Sequence, residues 1–261
     1  MGVPVSSAAK VKRLVRPLLK RNPDLALVGK DTLWLQPIHK FGRHIHFRRG
    51  KSQYFTLSWH LSPLFTPALW IGPNPGAFDD RIGRSTIRPA NDPISRSRPS
   101  LYRTENILFH SGTGLWEYDD DSLQDDLILQ VEGALRLMRS LDTLEKCSAF
   151  LRSYSIKRMS QIEHWPMMLD LAAGDLDAAR DIWIGVRERH RPRSRKGLMP
   201  FFDQIETRWS ELDVPLMSKD RVGLATLLKR WESENAHSIG IENLWAQTAF
   251  PFEFTEYHEQ S

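Results

Sequence analysis

The stretch that decides the fold is residues 43–61, with the sequence RHIHFRRGKSQYFTLSWHL. Apolar and polar side chains alternate through both of its halves, and successive side chains of a β-strand point to opposite faces. The pattern therefore predicts a β-hairpin with one apolar face and one polar face. The polar face carries His44, His46 and Arg48 from the first strand, and Tyr54, Thr56, Ser58 and His60 from the second.

The pairing register of this hairpin follows from the same alternation, because a slip of one residue would send every side chain to the wrong face. Apolar side chains lie beside apolar ones when Phe47 faces Phe55 and His44 faces Ser58. That register requires a turn of odd length. Gly50-Lys51-Ser52 is the simplest choice, since glycine adopts the positive φ that such turns use.

Short elements precede the hairpin and a proline-rich segment follows it. Apolar spacing predicts an amphipathic helix over residues 6–21, and strands over residues 25–28 and 33–38, which together with the hairpin form an antiparallel meander. Residues 62–104 contain seven prolines. That density of breakers predicts a long loop without regular elements over most of its length. One further short strand is predicted at residues 107–109.

Helical periodicity dominates the second half of the chain. A capping-box-like start at Ser122 opens a leucine-rich helix. Gly174 followed by Asp175 predicts a helix hairpin, and Ser218 is the predicted N-cap of the last helix. We therefore predict an α+β fold. Residues 1–115 would hold the first helix, the meander and the long loop, and residues 116–261 a helical region with an acidic tail, packed on the sheet.

Composition restricts the class of protein. The chain has 261 residues, 41% hydrophobic and 26% charged, with a net charge of +4. No apolar run approaches the roughly 18 residues of a membrane span, and no signal-peptide pattern is present, which favours a cytoplasmic protein without membrane contact. The single cysteine, Cys147, lies in an apolar stripe and is predicted to be a buried hydrophobe.

Charge is segregated along the chain. The first helix is basic, and no Lys or Arg follows Arg230, where the tail becomes acidic. Such segregation concerns partners and solubility rather than fold. Trp70, Trp116 and Trp245 are predicted in loops or beside turns, where aromatic side chains are favoured anchors of protein interfaces.

The histidine-bearing face of the hairpin is the first candidate site. His44, His46 and His60, with Arg48 and Tyr54, form a compact polar surface. A covered or solvated face with satisfied imidazoles is the favoured interpretation, and an anionic partner or a Zn²⁺ ion are the alternatives. A metal site would want a carboxylate, and Arg48 would oppose a cation. We therefore assign no metal, no cofactor and no catalytic residue.

Two arginine-rich segments, residues 81–103 and 187–196, are the second candidate site. The sequence RERHRPRSRK resembles arginine-rich segments that fold onto RNA. The alternative interpretation is a solvated loop between helices, and no familiar nucleic-acid-binding signature accompanies the segments. The residues that we expect to contact phosphates are Arg96, Arg98, Tyr102, Arg191 and Arg193.

The order of elements resembles small bacterial domains encoded near polymorphic toxin and immunity genes. The matching features are Leu18-Leu19-Lys20, the strands through Leu61, and Trp116 followed by the acidic-capped helix from Asp119 to Leu141. The resemblance covers about the first 150 residues and implies an immunity-like, toxin-neutralising protein.

Our leading hypothesis is accordingly a non-enzymatic bacterial protein that binds another protein. Nucleic-acid binding through the arginine-rich segments is the second hypothesis. A metal-dependent hydrolase that uses the histidine face is the third hypothesis. We therefore favour a protein without enzymatic activity. The sequence leaves the oligomeric state open.

Overall fold

The computed structural model describes residues 7–49, 54–67, 78–82, 100–104, 107–111, 116–117, 123–155, 165–187 and 207–254. The fold is α+β, as predicted. The chain divides into two compact units, the first comprising Met1–Ile38, Gly42–Ser62 and Phe78–Asp142, and the second His39–Phe41, Pro63–Ala77 and Thr143–Ser261. The helix predicted after Ser122 is grouped with the strands, whereas the sequence analysis placed it with the helical half.

The first unit opens with helix α1, Ser7–Arg21. Its buried stripe consists of apolar side chains at helical spacing, namely Val11, Leu14, Val15 and Leu18. Asn22 ends the helix, because its side-chain amide donates to the Leu18 carbonyl at 3.0 Å. The helix predicted over residues 6–21 is therefore confirmed, with its end at Arg21.

An eight-stranded antiparallel sheet follows in the same unit, larger than the meander that we predicted. Its strands are β1 Leu25–Val28, β2 Thr32–Leu35, β3 Phe41–Arg49, β4 Tyr54–Pro63, β5 Phe78–Ile82, β6 Ser100–Thr104, β7 Ile107–Ser111 and β8 Trp116–Glu117. The strand order is β1-β2-β3-β4-β5-β7-β6, and β8 pairs with β4. The strands predicted near residues 25, 33, 45, 57 and 107 are all present.

The apolar face of the hairpin is buried as alternation predicts. Phe47 and Phe55 stack with ring centroids 6.0 Å apart, and Ile45 and Leu57 have no exposed area. Helix α2, Leu123–Ser140, contacts β2, β5 and β7. The turn that we placed at Gly50-Lys51-Ser52 lies outside the described residues.

We predicted no regular elements over most of residues 62–104, but twelve of these residues lie in strands, because β4 extends to Pro63 and β5 and β6 each take five. Proline excludes a central strand only where it interrupts one. The nearest prolines to β5 are Pro75 and Pro89, and β6 begins directly after Pro99. The breakers therefore flank both strands.

The second unit is helical over its described residues from Leu144 onward. Its helices are α3 Leu144–Ser155, α4 Trp165–Ala173, α5 Leu176–Val186, α6 Asp213–Met217 and α7 Arg221–Ile239, with a helical segment over residues 207–210 and a 3₁₀ turn at Pro251–Glu253. The predicted hairpin of α4 and α5 is confirmed: Gly174 has φ 92°, and the Asp175 side chain accepts from the Ala178 amide at 3.0 Å.

The predicted cap of α7 is wrong. Asp220, not Ser218, is the N-cap, and its carboxylate accepts from the Gly223 amide at 2.9 Å. The Ser218 hydroxyl instead donates to the Val214 carbonyl at 2.9 Å, which is a hydrogen bond at the end of α6. Within the described residues, no helix combines the length and the apolarity needed to cross a bilayer.

Candidate functional site

The histidines of the hairpin form a stack of aromatic rings in the first unit. His44 lies between Trp34, at a centroid distance of 4.3 Å, and His60, at 4.6 Å with ring planes 8° apart. The ring of His46 meets that of His60 edge-on at 6.5 Å. Alternation along β3 and β4 therefore brings the three imidazoles to one face, as the sequence indicates.

The structure buries this face. His44 and His60 have no exposed area, and His46 is 4% exposed. In this structure a macromolecular partner therefore has no access to the rings of His44 and His60. The rest of the polar face is more accessible, since Arg48 is exposed and Tyr54, Thr56 and Ser58 are half-buried.

Hydrogen bonding within the stack is incomplete. Ser58 Oγ and His60 Nε2 share a hydrogen bond of 2.7 Å, and Thr32 Oγ1 and His46 Nδ1 share one of 3.1 Å. Both ring nitrogens of His44 and Nδ1 of His60 have no hydrogen-bond partner among the described residues. A buried polar atom without a partner costs about 1–3 kcal/mol, so ring packing must offset this cost.

Burial determines the protonation of the stack. Desolvation, followed by the neighbouring His60 and His46, holds the pKa of His44 well below its usual range. Desolvation also lowers the pKa of His60 to about 3. Both imidazoles are consequently neutral at physiological pH, since burial disfavours the charged form of each ring.

The geometry of the rings does not form a chelate. The lone pair of an imidazole nitrogen lies in the plane of the ring. The lone pairs of two rings stacked face to face therefore lie in parallel planes and do not converge on one ion. Within the part of the chain that the structure describes, no group of three or more His, Cys, Asp or Glu side chains is arranged to hold a metal ion. Asp79 on β5 is the register partner of His60.

The predicted nucleic-acid contacts fall mostly beyond the described residues. Arg96, Arg98, Arg191 and Arg193 all lie outside them. Tyr102 lies in β6, where its backbone pairs with Phe109 of β7.

The three tryptophans predicted in loops or beside turns differ in their burial and position. Trp116 lies on the two-residue strand β8 and is fully buried, where it stacks on Phe55 at 6.1 Å, so it is not an exposed interface anchor. Trp245 is half-buried in the segment after α7, and Trp70 lies outside the described residues.

The outer face of α1 carries a row of exposed cations. It consists of Lys12, Arg13, Arg16, Lys20 and Arg21, all exposed. At 100° per residue, Lys12, Arg13, Arg16 and Lys20 occupy one side of the helix over about 12 Å. The helix itself contains no Asp or Glu. We call these five residues the α1 cationic face.

Carboxylates near the end of α1 are engaged elsewhere. Arg139 of α2 binds both oxygens of Asp24 at 2.8 Å, and this contact lowers the pKa of Asp24. Glu132 accepts from the Asn22 side chain at 2.8 Å. Within the described residues, none of the five side chains of the α1 cationic face forms an ion pair, so their charge faces solvent.

Two features escaped the sequence analysis. Trp34 completes the stack because it is the register partner of His44 on β2, and alternation in β2 was the available signal. In the second unit, Lys40 and Glu232 form a buried ion pair with Nζ 3.2 Å from Oε1. These two residues lie 192 positions apart, so no local pattern announces their contact.

Comparison with known proteins gives no relative: no family model, curated protein or solved structure matches this chain.

Proposed function

We propose that this protein binds an acidic macromolecule through the α1 cationic face, and that the partner is a protein. The observation that carries the proposal is a row of exposed cations that form no ion pair with any described residue, on a helix whose opposite side buries Val11, Leu14, Val15 and Leu18. Uncompensated like charges repel one another within the helix. A complementary acidic surface relieves that repulsion and speeds encounter.

The size of the face favours a protein partner over a nucleic acid. Duplex DNA carries one charge per 1.7 Å, so about 12 Å of duplex presents about seven phosphates. The row offers four cations on one side of the helix. This number matches a small acidic patch on a folded protein better than a phosphate backbone.

The narrower proposal is a toxin-neutralising role, in which the acidic partner is a toxin. Its support is the order of elements described in the sequence analysis, together with the charge of α1. Nucleic-acid binding remains the second candidate function, because the arginine-rich segments would add phosphate contacts to those of α1.

A binding assay with two defined polyanions tests the proposal. The probes are a labelled 20-residue polyglutamate peptide and a labelled 20-base-pair DNA duplex, each at low and moderate salt. We expect binding to polyglutamate that weakens at least tenfold in the Arg16→Glu/Lys20→Glu variant. The matched control is Lys30→Glu/Arg136→Glu, which changes the net charge equally at exposed positions off α1.

The outcomes separate the alternatives. Equal loss of binding in the two variants would show that net charge alone matters, and would overturn the proposal. Binding confined to the duplex, with the steep salt dependence of phosphate contacts, would replace the protein partner with a nucleic acid.

A further inference from the structure

Ser58 and His60 of β4 form a serine–histidine pair in the first unit. Ser58 Oγ and His60 Nε2 share a hydrogen bond of 2.7 Å, which is within the reach of a general base that takes the proton of a serine nucleophile. The two residues are two positions apart in one strand, so both side chains project from the polar face of the hairpin. The backbone of a regular strand therefore holds the hydroxyl beside the imidazole.

Solvent reaches one member of this pair and not the other. Tyr54, Thr56 and Ser58 are half-buried along the polar face, whereas His60 has no exposed area. Ser58 thus lies where the accessible part of the face meets its buried part. A small molecule that reaches Ser58 would meet a hydroxyl whose hydrogen-bond partner is shielded from water, and a hydrogen bond is electrostatically stronger in such surroundings than in water.

The ring stack fixes the orientation of the His60 imidazole. His44 lies face to face with His60 at 4.6 Å and is backed by Trp34 at 4.3 Å, while His46 meets the His60 ring edge-on at 6.5 Å. These packed rings restrict rotation of the imidazole about its side-chain bonds. Nε2 consequently stays directed at Ser58, and catalysis requires that a reacting group be held in its productive geometry in this way.

Packing alone does not explain why the stack is built from histidines. Nδ1 of His60 and both ring nitrogens of His44 have no hydrogen-bond partner among the described residues. Phenylalanine would fill the same layers without the cost of unpaired polar atoms, and a catalytic role is one reason for which proteins retain such atoms. When the ring proton of His60 is on Nδ1, Nε2 is the acceptor for the Ser58 hydroxyl.

We propose that Ser58 is a nucleophile with His60 as its general base, and that the pair cleaves small carboxylic esters by acyl transfer. Ser58 Oγ attacks the carbonyl carbon of the ester while His60 Nε2 takes the hydroxyl proton. The ester C–O bond then breaks, and the imidazolium gives that proton to the departing alkoxide, which leaves the acyl group on Ser58 Oγ. Water repeats the sequence: Nε2 takes its proton, the hydroxide adds to the acyl carbon, and the carboxylic acid leaves as Ser58 recovers the proton.

The surroundings of His60 determine the size of the substrate and the rate of the reaction. Ser58 is only half-buried and His60 has no exposed area, so the site favours short acyl groups. Desolvation lowers the pKa of His60 to about 3, which keeps the ring neutral but makes it a weak base, so we expect slow turnover. The register partner of His60 on β5 is an acid, Asp79, and a carboxylate beside the histidine stabilises the imidazolium in Ser-His-Asp hydrolases.

Covalent labelling of the full chain near neutral pH tests the nucleophile. The probes are a fluorophosphonate, which transfers its phosphonyl group to an activated serine with loss of hydrogen fluoride, and p-nitrophenyl acetate, which transfers an acetyl group with loss of p-nitrophenol. After an acid quench, peptide mapping by mass spectrometry should place both groups on Ser58. An unlabelled Ser58 in the native protein, or labelling that is equally fast after unfolding in urea, overturns the proposal without any variant.

Variants assign the reactivity to the pair. His60→Phe keeps a ring in the stack but removes the base, and we expect labelling of Ser58 to slow by at least about 100-fold. Thr56→Ala, the matched control, removes a neighbouring hydroxyl of the same face and should label at the rate of the unmodified protein. An unchanged rate in His60→Phe, or equal slowing in both variants, would show that His60 does not act as the base and would overturn the proposal.

The labelling is separable from the function proposed for α1. The Arg16→Glu/Lys20→Glu variant, which should lose polyglutamate binding, should label Ser58 at the full rate. A serine that labels in a protein without polyglutamate binding would support the nucleophile alone, whereas binding without labelling would support the α1 cationic face alone.

Discussion

The imidazoles of His44 and His60 lie face to face, 4.6 Å apart with their planes 8° from parallel, and neither has exposed area. Three of their four ring nitrogens have no hydrogen-bond partner among the described residues. The two rings therefore pack like buried aromatic side chains, although they carry polar nitrogen atoms.

Two substitutions of His44 distinguish the effect of its ring packing on stability from the effect of its polar nitrogens. His44→Phe keeps a planar ring between Trp34 and His60 and removes two unpartnered nitrogens, so we expect unfolding stability within about 1 kcal/mol of the unmodified protein, or higher. His44→Ala leaves a cavity and should cost about 3 kcal/mol. Urea denaturation measures both. If phenylalanine is as harmful as alanine, the ring nitrogens hold an ion or a water molecule.

Acid should weaken the first unit through the same two histidines. Their pKa values are lowered in the folded state, so the unfolded chain takes up protons near pH 6.5 while the folded one does not. Stability is complete above pH 6.5 and falls below it, until the folded rings also protonate, which for His60 is at about pH 3. The two together should cost about 4 kcal/mol between pH 7 and pH 5.

Segment-resolved hydrogen exchange checks this expectation, because it reports the protection of β3 and β4 separately from that of the second unit. Protection of β3 and β4 should fall on acidification. In a His44→Phe/His60→Phe variant the acid loss in β3 and β4 should disappear. Equal acid loss in that variant and in the unmodified protein would contradict the assignment.

Arg43 offers a third prediction, since it closes the carboxyl end of α2. Its guanidinium donates to the Met138 and Leu141 carbonyls at 3.2 Å and to the Pro37 carbonyl at 2.8 Å. Arg43→Met removes these donors, and we expect a loss of about 2–4 kcal/mol in unfolding stability. Arg48→Met, at an exposed position of the same strand, is the control and should change stability by less than about 0.5 kcal/mol. Similar values for both would show that the carbonyls find other donors.

Much of the fold was predictable because short-range rules govern it. Alternation in residues 43–61 correctly grouped the apolar side chains of the hairpin on one buried face, where Phe47 stacks on Phe55. Gly174 and Asp175 marked a helix hairpin because each residue has a local hydrogen-bonding role at a helix end. The strands β5 and β6 were missed because their flanking prolines dominate the composition of the segment.

The sites were less predictable because their partners are distant in sequence. Sequence alternation placed the three histidines together but does not say what lies over them, and burial changes a polar face into a neutral ring stack. The buried ion pair of Lys40 and Glu232 joins residues 192 positions apart, which no spacing rule anticipates. By contrast, the α1 cationic face was visible in the sequence as a basic helix.

The last prediction concerns the start of α7, where the sequence analysis and the structure assign different N-cap residues. Asp220 accepts from the Gly223 amide, so Asp220→Ala leaves that donor unpaired and should cost about 1 kcal/mol of unfolding stability. Ser218→Ala loses only a hydroxyl that donates back to Val214 and should cost less than half as much. Asp220→Asn, which keeps an acceptor, should recover most of the loss. Chemical denaturation of the three variants decides between the caps, and a larger cost at Ser218 would restore the cap indicated by the sequence.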